Sequence, residues 1–215
     1  PMEEAKKLLA EADELVKQPG FTSEASKKAH AAIDALSKGD APKPAAEGET
    51  PSEEALTLST AYCLAAELQL ALGRPKSSVG LFSKAKELDG STRAIAGYAG
   101  ALGATGKVEE AAALLQPYDN PKSPLQVVEL LALGKAYMVM GNDAKGEQLL
   151  KSAWARGGDP FELANAQMGK YLKLRTDELV GAAVDGYSAA VESLKSTARL
   201  NRRDVRPKYR IGLLW

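Results

Sequence analysis

The sequence predicts an all-α fold built from stacked antiparallel helix pairs. Three observations carry that prediction. Alanine dominates the apolar residues and aromatics make up only 6% of the chain, a composition that suits close-packed helices and lacks the valine, isoleucine and aromatic residues that fill sheets. Glycines that end one helical run and precede the next recur at Gly73, Gly106 and Gly141, and an equivalent break falls at Arg175, so the spacings are 33, 35 and 34 residues. Around each break, the same kinds of residue return in the same order. Almost no strand is expected.

Taken in order, residues 2–18 and 22–38 form two amphipathic helices broken at Pro19-Gly20, with small Ala25, Ala29 and Ala32 following the break. Residues 1–38 are therefore a degenerate N-terminal helical hairpin. Residues 39–51 hold three prolines, two glycines and no large apolar residue, which makes them a linker inserted between repeats. Thr50-Pro51-Ser52-Glu53 reads as a capping box with proline at the first helical position, so helix resumes there. Residues 52–200 form the main helical array. Asn142-Asp143 and Thr176-Asp177 start second helices, while Ser123-Pro124 and Asp159-Pro160 are cap-plus-proline starts of first helices. From Thr176 to about Leu200, apolar residues at helical spacing describe one long helix that caps the stack with a polar outer face.

The clearest copy of the recurring unit runs through Leu133-Gly134, Tyr137, Gly141, Gly146, Leu150, Ala153 and Asp159-Pro160. An earlier copy has Tyr62, Ala65-Ala66, Gly73, Ser78, Phe82 and Ala85, and another has Tyr98-Ala99, Leu102, Gly106, Ala111 and Leu115. A fourth keeps Tyr171, Val180 and Val184 but has Arg175 where the others have glycine. This pattern resembles the tetratricopeptide repeat, a helix-turn-helix of about 34 residues. The resemblance implies a right-handed superhelical solenoid of about four to five repeats and about ten helices. Small residues set the distance at which paired helices pack, and glycine at the break supplies the left-handed ending of the first helix.

Within "STRAIAGYAGALGATGKVEEA", Gly97, Gly100, Gly103 and Gly106 stand three residues apart and run into Lys107. A phosphate-binding loop would need glycine where Ala101 stands and a hydroxyl where Val108 stands, and a dinucleotide fingerprint would need a preceding strand. Neither pattern is met. The glycines instead lie on a helix, where they admit a neighbouring helix or form a shallow trough for a partner.

No enzyme, cofactor or metal site is expected. The single histidine, His30, has no reactive group at a recognised spacing, and the single cysteine, Cys63, offers neither a disulfide nor a zinc set. Glu53-Glu54 and Glu109-Glu110 are first-turn carboxylates that favour the helix dipole, and Tyr62, Tyr98, Tyr137 and Trp154 are core residues. Net charge is zero and only the tail is basic, which argues against nucleic acid as a partner.

What remains is a protein-binding surface. In tetratricopeptide arrays the first helix of each repeat lines a concave groove that takes a peptide or helix, and the resemblance implies the same here. The groove would be lined by Cys63, Glu67 and Leu70; by Arg93, Ala96, Gly97 and Gly100; by Val128, Leu131, Lys135 and Met138; and by Glu162, Asn165 and Gly169. The strip is mostly apolar or small, so it suits an apolar or amphipathic segment held by side-chain burial, with Glu67, Arg93 and Lys135 setting its orientation. Family members that clamp a terminal carboxylate use Lys, Asn and Arg at such positions, and here those positions hold Cys63, Glu67, Ala96, Gly97 and Val128, so that activity is not carried over. The expected role is a scaffold or assembly adaptor. The strip could instead be filled by the chain's own tail or by a second copy in a homodimer.

Residues 1–54 carry 7 basic against 12 acidic residues, whereas residues 199–215 carry 6 basic against Asp204 alone. The tail 201–215 runs from a basic cluster into Ile211-Gly212-Leu213-Leu214-Trp215. It reads as a segment folding back on the array, or as the cytoplasmic edge of a membrane span beyond Trp215. A lone cysteine and the lack of a signal segment point to the cytosol and are compatible with the periplasm or a membrane-anchored assembly protein, and the alanine content leans bacterial.

Overall fold

The structure, a computed structural model, describes residues 1–18, 20–38, 42–44, 49–119, 121 and 124–158, together with residues 162, 163, 166, 188, 191, 192 and 195. Among them are eight α-helices and no strand: α1 (Met2–Val16), α2 (Thr22–Ser37), α3 (Glu53–Ala71), α4 (Pro75–Asp89), α5 (Thr92–Ala104), α6 (Val108–Leu115), α7 (Val127–Val139) and α8 (Asp143–Ala155). A short 3₁₀ turn, Gln116–Tyr118, follows α6. The chain divides into two compact units, Pro1–Pro121 and Lys122–Trp215.

In the first unit each helix packs on the next along the chain, from α1 on α2 through to α5 on α6. The odd-numbered helices also touch in turn, α1 with α3 and α3 with α5. In the second unit α7 packs on α8.

The recurring residues land where helices meet. Ala66, Phe82 and Ala85 are fully or almost fully buried with Cys63, Ala94 and Ala101 in one cluster, and Ala111 and Leu115 are buried on α6. In the second unit Leu133, Leu150 and Ala153 are buried with no more than 1% exposure. Ala25, Ala29 and Ala32 are fully buried against α1 and α3 residues, with Leu9, Ile33, Leu36, Leu58, Leu64 and Leu68 supplying the bulk around them. The alternation of small and large side chains is thus what lets each pair approach. Two buried hydroxyls tie α3 to α4 reciprocally: Ser78 Oγ donates to the Ala66 carbonyl at 2.7 Å, and Ser59 Oγ donates to the Ala85 carbonyl at 3.2 Å.

The break glycines behave as their spacing implied. Gly73, Gly106 and Gly141 have φ of +72°, +88° and +84°, a left-handed conformation that costs other residues about 1–2 kcal/mol. Each amide then closes the end of α3, α5 or α7 by donating to a carbonyl three residues back.

Helix starts differ from the sequence reading in three places. The cap of α3 is Ser52, whose Oγ accepts from the Ala55 amide at 3.1 Å, so Pro51 precedes the cap and does not occupy the first helical position. Helix α7 begins at Val127, three residues after Pro124, and Glu129 accepts from the Gln126 amide at 2.7 Å. Asn142 stands at the start of α8 but makes no side-chain cap hydrogen bond, because its ψ of 66° departs from the extended geometry that aims a cap side chain at the first turn.

Of the long helix expected from Thr176, the described Ser188, Val191, Glu192 and Lys195 are helical and Val191 is buried. The Asp159-Pro160 start, the Arg175 break and the tail 201–215 lie outside the described residues.

Candidate functional site

The strip expected to face a partner begins on α3. Thr60, Cys63, Glu67 and Leu70 recur at helical spacing on one side of that helix. Their environments diverge sharply. Cys63 is 1% exposed and belongs to the core between α3, α4 and α5, so it cannot line an open surface. Leu70 is half-buried against the same cluster. Thr60 is exposed, and following the spacing one turn back reaches Leu56, one of the few exposed large apolar residues. The sequence reading stopped at Cys63 and missed Leu56, although the same period leads to it.

Helix α5 meets this side of α3. It is capped by Ser91, whose Oγ accepts from the Ala94 amide at 3.3 Å, which places Arg93 in the first turn. The Arg93 guanidinium grips Glu67 with two bonds, Nε to Oε1 at 2.9 Å and Nη2 to Oε2 at 3.0 Å. Fork-to-carboxylate pairing of this kind is stronger and more directional than a lysine contact. The Glu67 charge holds Arg93 above the usual guanidinium range against the opposing effect of burial. Glu67 and Arg93 therefore satisfy each other across the two helices.

The small residues of α5 are packing residues. Ala96 is fully buried and Gly100 is buried. At Gly97 a Cβ would lie 2.1 Å from Cε1 of Phe82, so this glycine is where the Phe82 ring of α4 sits flush on the α5 backbone. The packing reading of Gly97 is the one the geometry bears out. Cys63, Ala96 and Gly100 are corrected likewise, because all three are buried and cannot line an open groove.

On α7 the expected residues Val128, Leu131, Lys135 and Met138 share one side at the same spacing. Val128 is 47% exposed, the largest exposure among the large apolar residues described. Leu131 is half-buried against Met138, Leu150 and Leu163. Met138 is buried in that cluster, and its Cγ would lie 2.6 Å from a Cβ at Gly146, so it packs on α8 and is not a surface contact. Lys135 Nζ lies 2.9 Å from Glu162, whose side chain is about one-third exposed. Asn165 and Gly169 lie outside the described residues.

No family model matches this chain, and no curated protein matches it significantly. The side chains with chemistry are accordingly read from their own surroundings. Burial pushes the Cys63 thiol up to about 12, and the Glu67 charge adds to this while Arg93 opposes it. An unfolded cysteine ionises near the ordinary value, so the folded chain holds this proton more tightly. Stability linked to Cys63 is complete below about pH 9 and is lost as pH rises toward 12. Labelling by iodoacetamide at pH 8 is expected to be at least about a hundredfold slower in the folded chain than in urea, measured by mass spectrometry, since the thiolate is the reactive form. Equal rates would show that the thiol is reached in the native state.

His30 Nδ1 donates to the Ser26 carbonyl at 2.8 Å, one helical turn back, and Ser26 Oγ accepts from Gln69 Nε2 at 3.1 Å in a buried link between α2 and α3. Among the described residues no three His, Cys, Asp or Glu side chains gather as a metal site. None of the described helices is long and apolar enough to cross a membrane. Tyr62 and Tyr98 are half-buried, not fully in the core, and with buried Tyr137 each lies under a lysine: Lys84 at 5.5 Å, Lys86 at 4.9 Å and Lys145 at 4.4 Å from the ring centroids. Sequence reading assigned the tyrosines to the core and did not find these lysines, which stand on a neighbouring helix.

Proposed function

We propose that the chain is a tetratricopeptide-like binding module, a scaffold or assembly adaptor, that takes an apolar or amphipathic protein segment along its first helices. The observation that carries this reading is the placement of two exposed apolar side chains. Leu56 on α3 and Val128 on α7 are each exposed on a helix side that also carries a half-buried leucine, Leu70 or Leu131. An exposed apolar residue continued along its own helix by a half-buried leucine suits burial by a partner, whereas scattered ones call for no explanation.

The charged residues of the strip are engaged with each other, Glu67 with Arg93 and Lys135 with Glu162. Affinity would therefore come from apolar contact, with the ion pairs giving polar edges that favour one partner orientation. No catalytic role is part of this reading, and a cytoplasmic setting fits it.

The test is cross-linked capture from the source cell with the wild-type chain, Leu56→Glu and Val128→Glu, after checking equal helicity and denaturation midpoint. Both positions are exposed, so the fold is expected to persist, whereas Leu131→Glu would disturb the Met138–Leu150 cluster. The captured segment, made as a peptide, is expected to bind each variant at least about tenfold more weakly, about 1.4 kcal/mol. Equal capture and equal peptide affinity across all three chains would remove the first-helix strip as the binding surface.

A further inference from the structure

Two ion pairs occupy the same station in different units. Glu67 stands six residues before the break glycine Gly73 and holds Arg93, three residues after the positive-φ Gly90. Lys135 stands six residues before Gly141 and holds the helical residue Glu162, five residues after the positive-φ Gly157. The place of Glu67 and Lys135 before the break glycine repeats, but the charge order is reversed. The position of Arg93 within α5 does not account for the first pair, because Arg93 sits in the opening turn, where a cation opposes the helix dipole and no acidic residue shares that turn.

Helices with similar packing faces compete for each other's neighbours. Helices α3 and α7 share the break glycine, an apolar core-facing side and small residues that admit the second helix. A folding chain, or two copies at high concentration, could dock α3 against the segment carrying Glu162 or α7 against α5.

We infer that the reversed charge order of Glu67–Arg93 and Lys135–Glu162 is a register code that assigns each first helix its own successor and suppresses exchange between units or between copies. Wrong docking sets Glu67 against Glu162 and Lys135 against Arg93, two like-charge contacts in place of two attractive ones. This role concerns assembly of the chain and stands apart from partner binding.

The experiment refolds the 215-residue chain from urea at increasing concentration and reads mass by light scattering. In Glu67→Arg/Arg93→Glu both stations carry the same charge order, so discrimination is removed while each local pair is kept. This variant is expected to keep wild-type helicity and a denaturation midpoint near the wild type, yet to yield several-fold more interlocked higher-mass species. The reciprocal variant, Lys135→Glu/Glu162→Lys, is expected to do the same, which keeps the test decisive if one variant folds poorly. Combining all four substitutions restores opposed order and should return the yield to the wild-type level. For the wild-type chain, refolding in about 1 M salt, where charges are screened beyond about 3 Å, should raise the yield of interlocked species. A mass distribution unchanged in both double variants, or an elevated yield that persists in the fourfold variant, would overturn the register code.

Discussion

Replacing Phe82 by alanine is expected to cost about 3–5 kcal/mol, read as a lowered urea midpoint, because a fully buried ring is removed from the cluster shared by α3, α4 and α5. The more telling result comes from pairing it with Gly97→Ala. In the wild-type background that methyl would intrude on the ring at 2.1 Å, and the ring is only 1% exposed, so a net loss of about 1–3 kcal/mol is expected despite alanine's better helix propensity. In the Phe82→Ala background the same methyl enters vacated space, and the sign should reverse to a gain of up to about 1 kcal/mol. Additive effects would mean that the ring does not rest on Gly97.

The second large effect is expected where α7 and α8 cross. A Cβ at Gly146 would lie 2.6 Å from Met138 Cγ and 2.9 Å from the Gly134 carbonyl oxygen, and a Cβ at Gly134 would lie 2.8 Å from Leu150 Cγ. Backbone oxygen cannot swing aside as a side chain can, so Gly146→Ala must push the helices apart. We expect a loss of about 2–3 kcal/mol for Gly146→Ala and a comparable one for Gly134→Ala. Gly80 is the control: it is exposed on α4, a Cβ there meets nothing within 4 Å, and Gly80→Ala should gain about 0.5–1 kcal/mol. Equal behaviour of Gly80 and Gly146 in chemical denaturation would refute close approach as the reason for glycine at the crossing.

These cases mark what could be read from the chain alone. Gly73, Gly106 and Gly141 were legible because a left-handed helix ending favours one residue type and so leaves a periodic mark. Phe82, Ala85, Leu115, Leu150 and Ala153 were legible because a close-packed pair requires alternating sizes. The surface strip was harder. Cys63, Ala96, Gly100 and Met138 share the helical spacing of Val128 and Leu131, and period alone cannot say whether a small or flexible residue faces solvent or a third helix. The partners of Glu67 and Lys135 lie 26 and 27 residues away, beyond any local pattern. The start of α3 was ambiguous for a different reason: both Thr50 and Ser52 can cap, and only the backbone decides.

The junctions between helix pairs have very unequal lengths. Residues 90–91 join α4 to α5, whereas residues 38–52 join α2 to α3, yet both junctions connect helices that pack directly on one another. Going from 2 to 15 residues is about three doublings of loop length, which costs only about 2 kcal/mol of closure entropy, since each doubling costs about 0.6. The α2–α3 contact, with its buried Leu36, Leu58 and Gln69–Ser26 link, evidently absorbs that cost. The α2–α3 seam is therefore the place where this chain accommodates added length. A guest sequence could enter there without disturbing either neighbouring pair, whereas the two-residue α4–α5 seam and the glycine turns after α3, α5 and α7 are built from two or three residues that the helix ends themselves use.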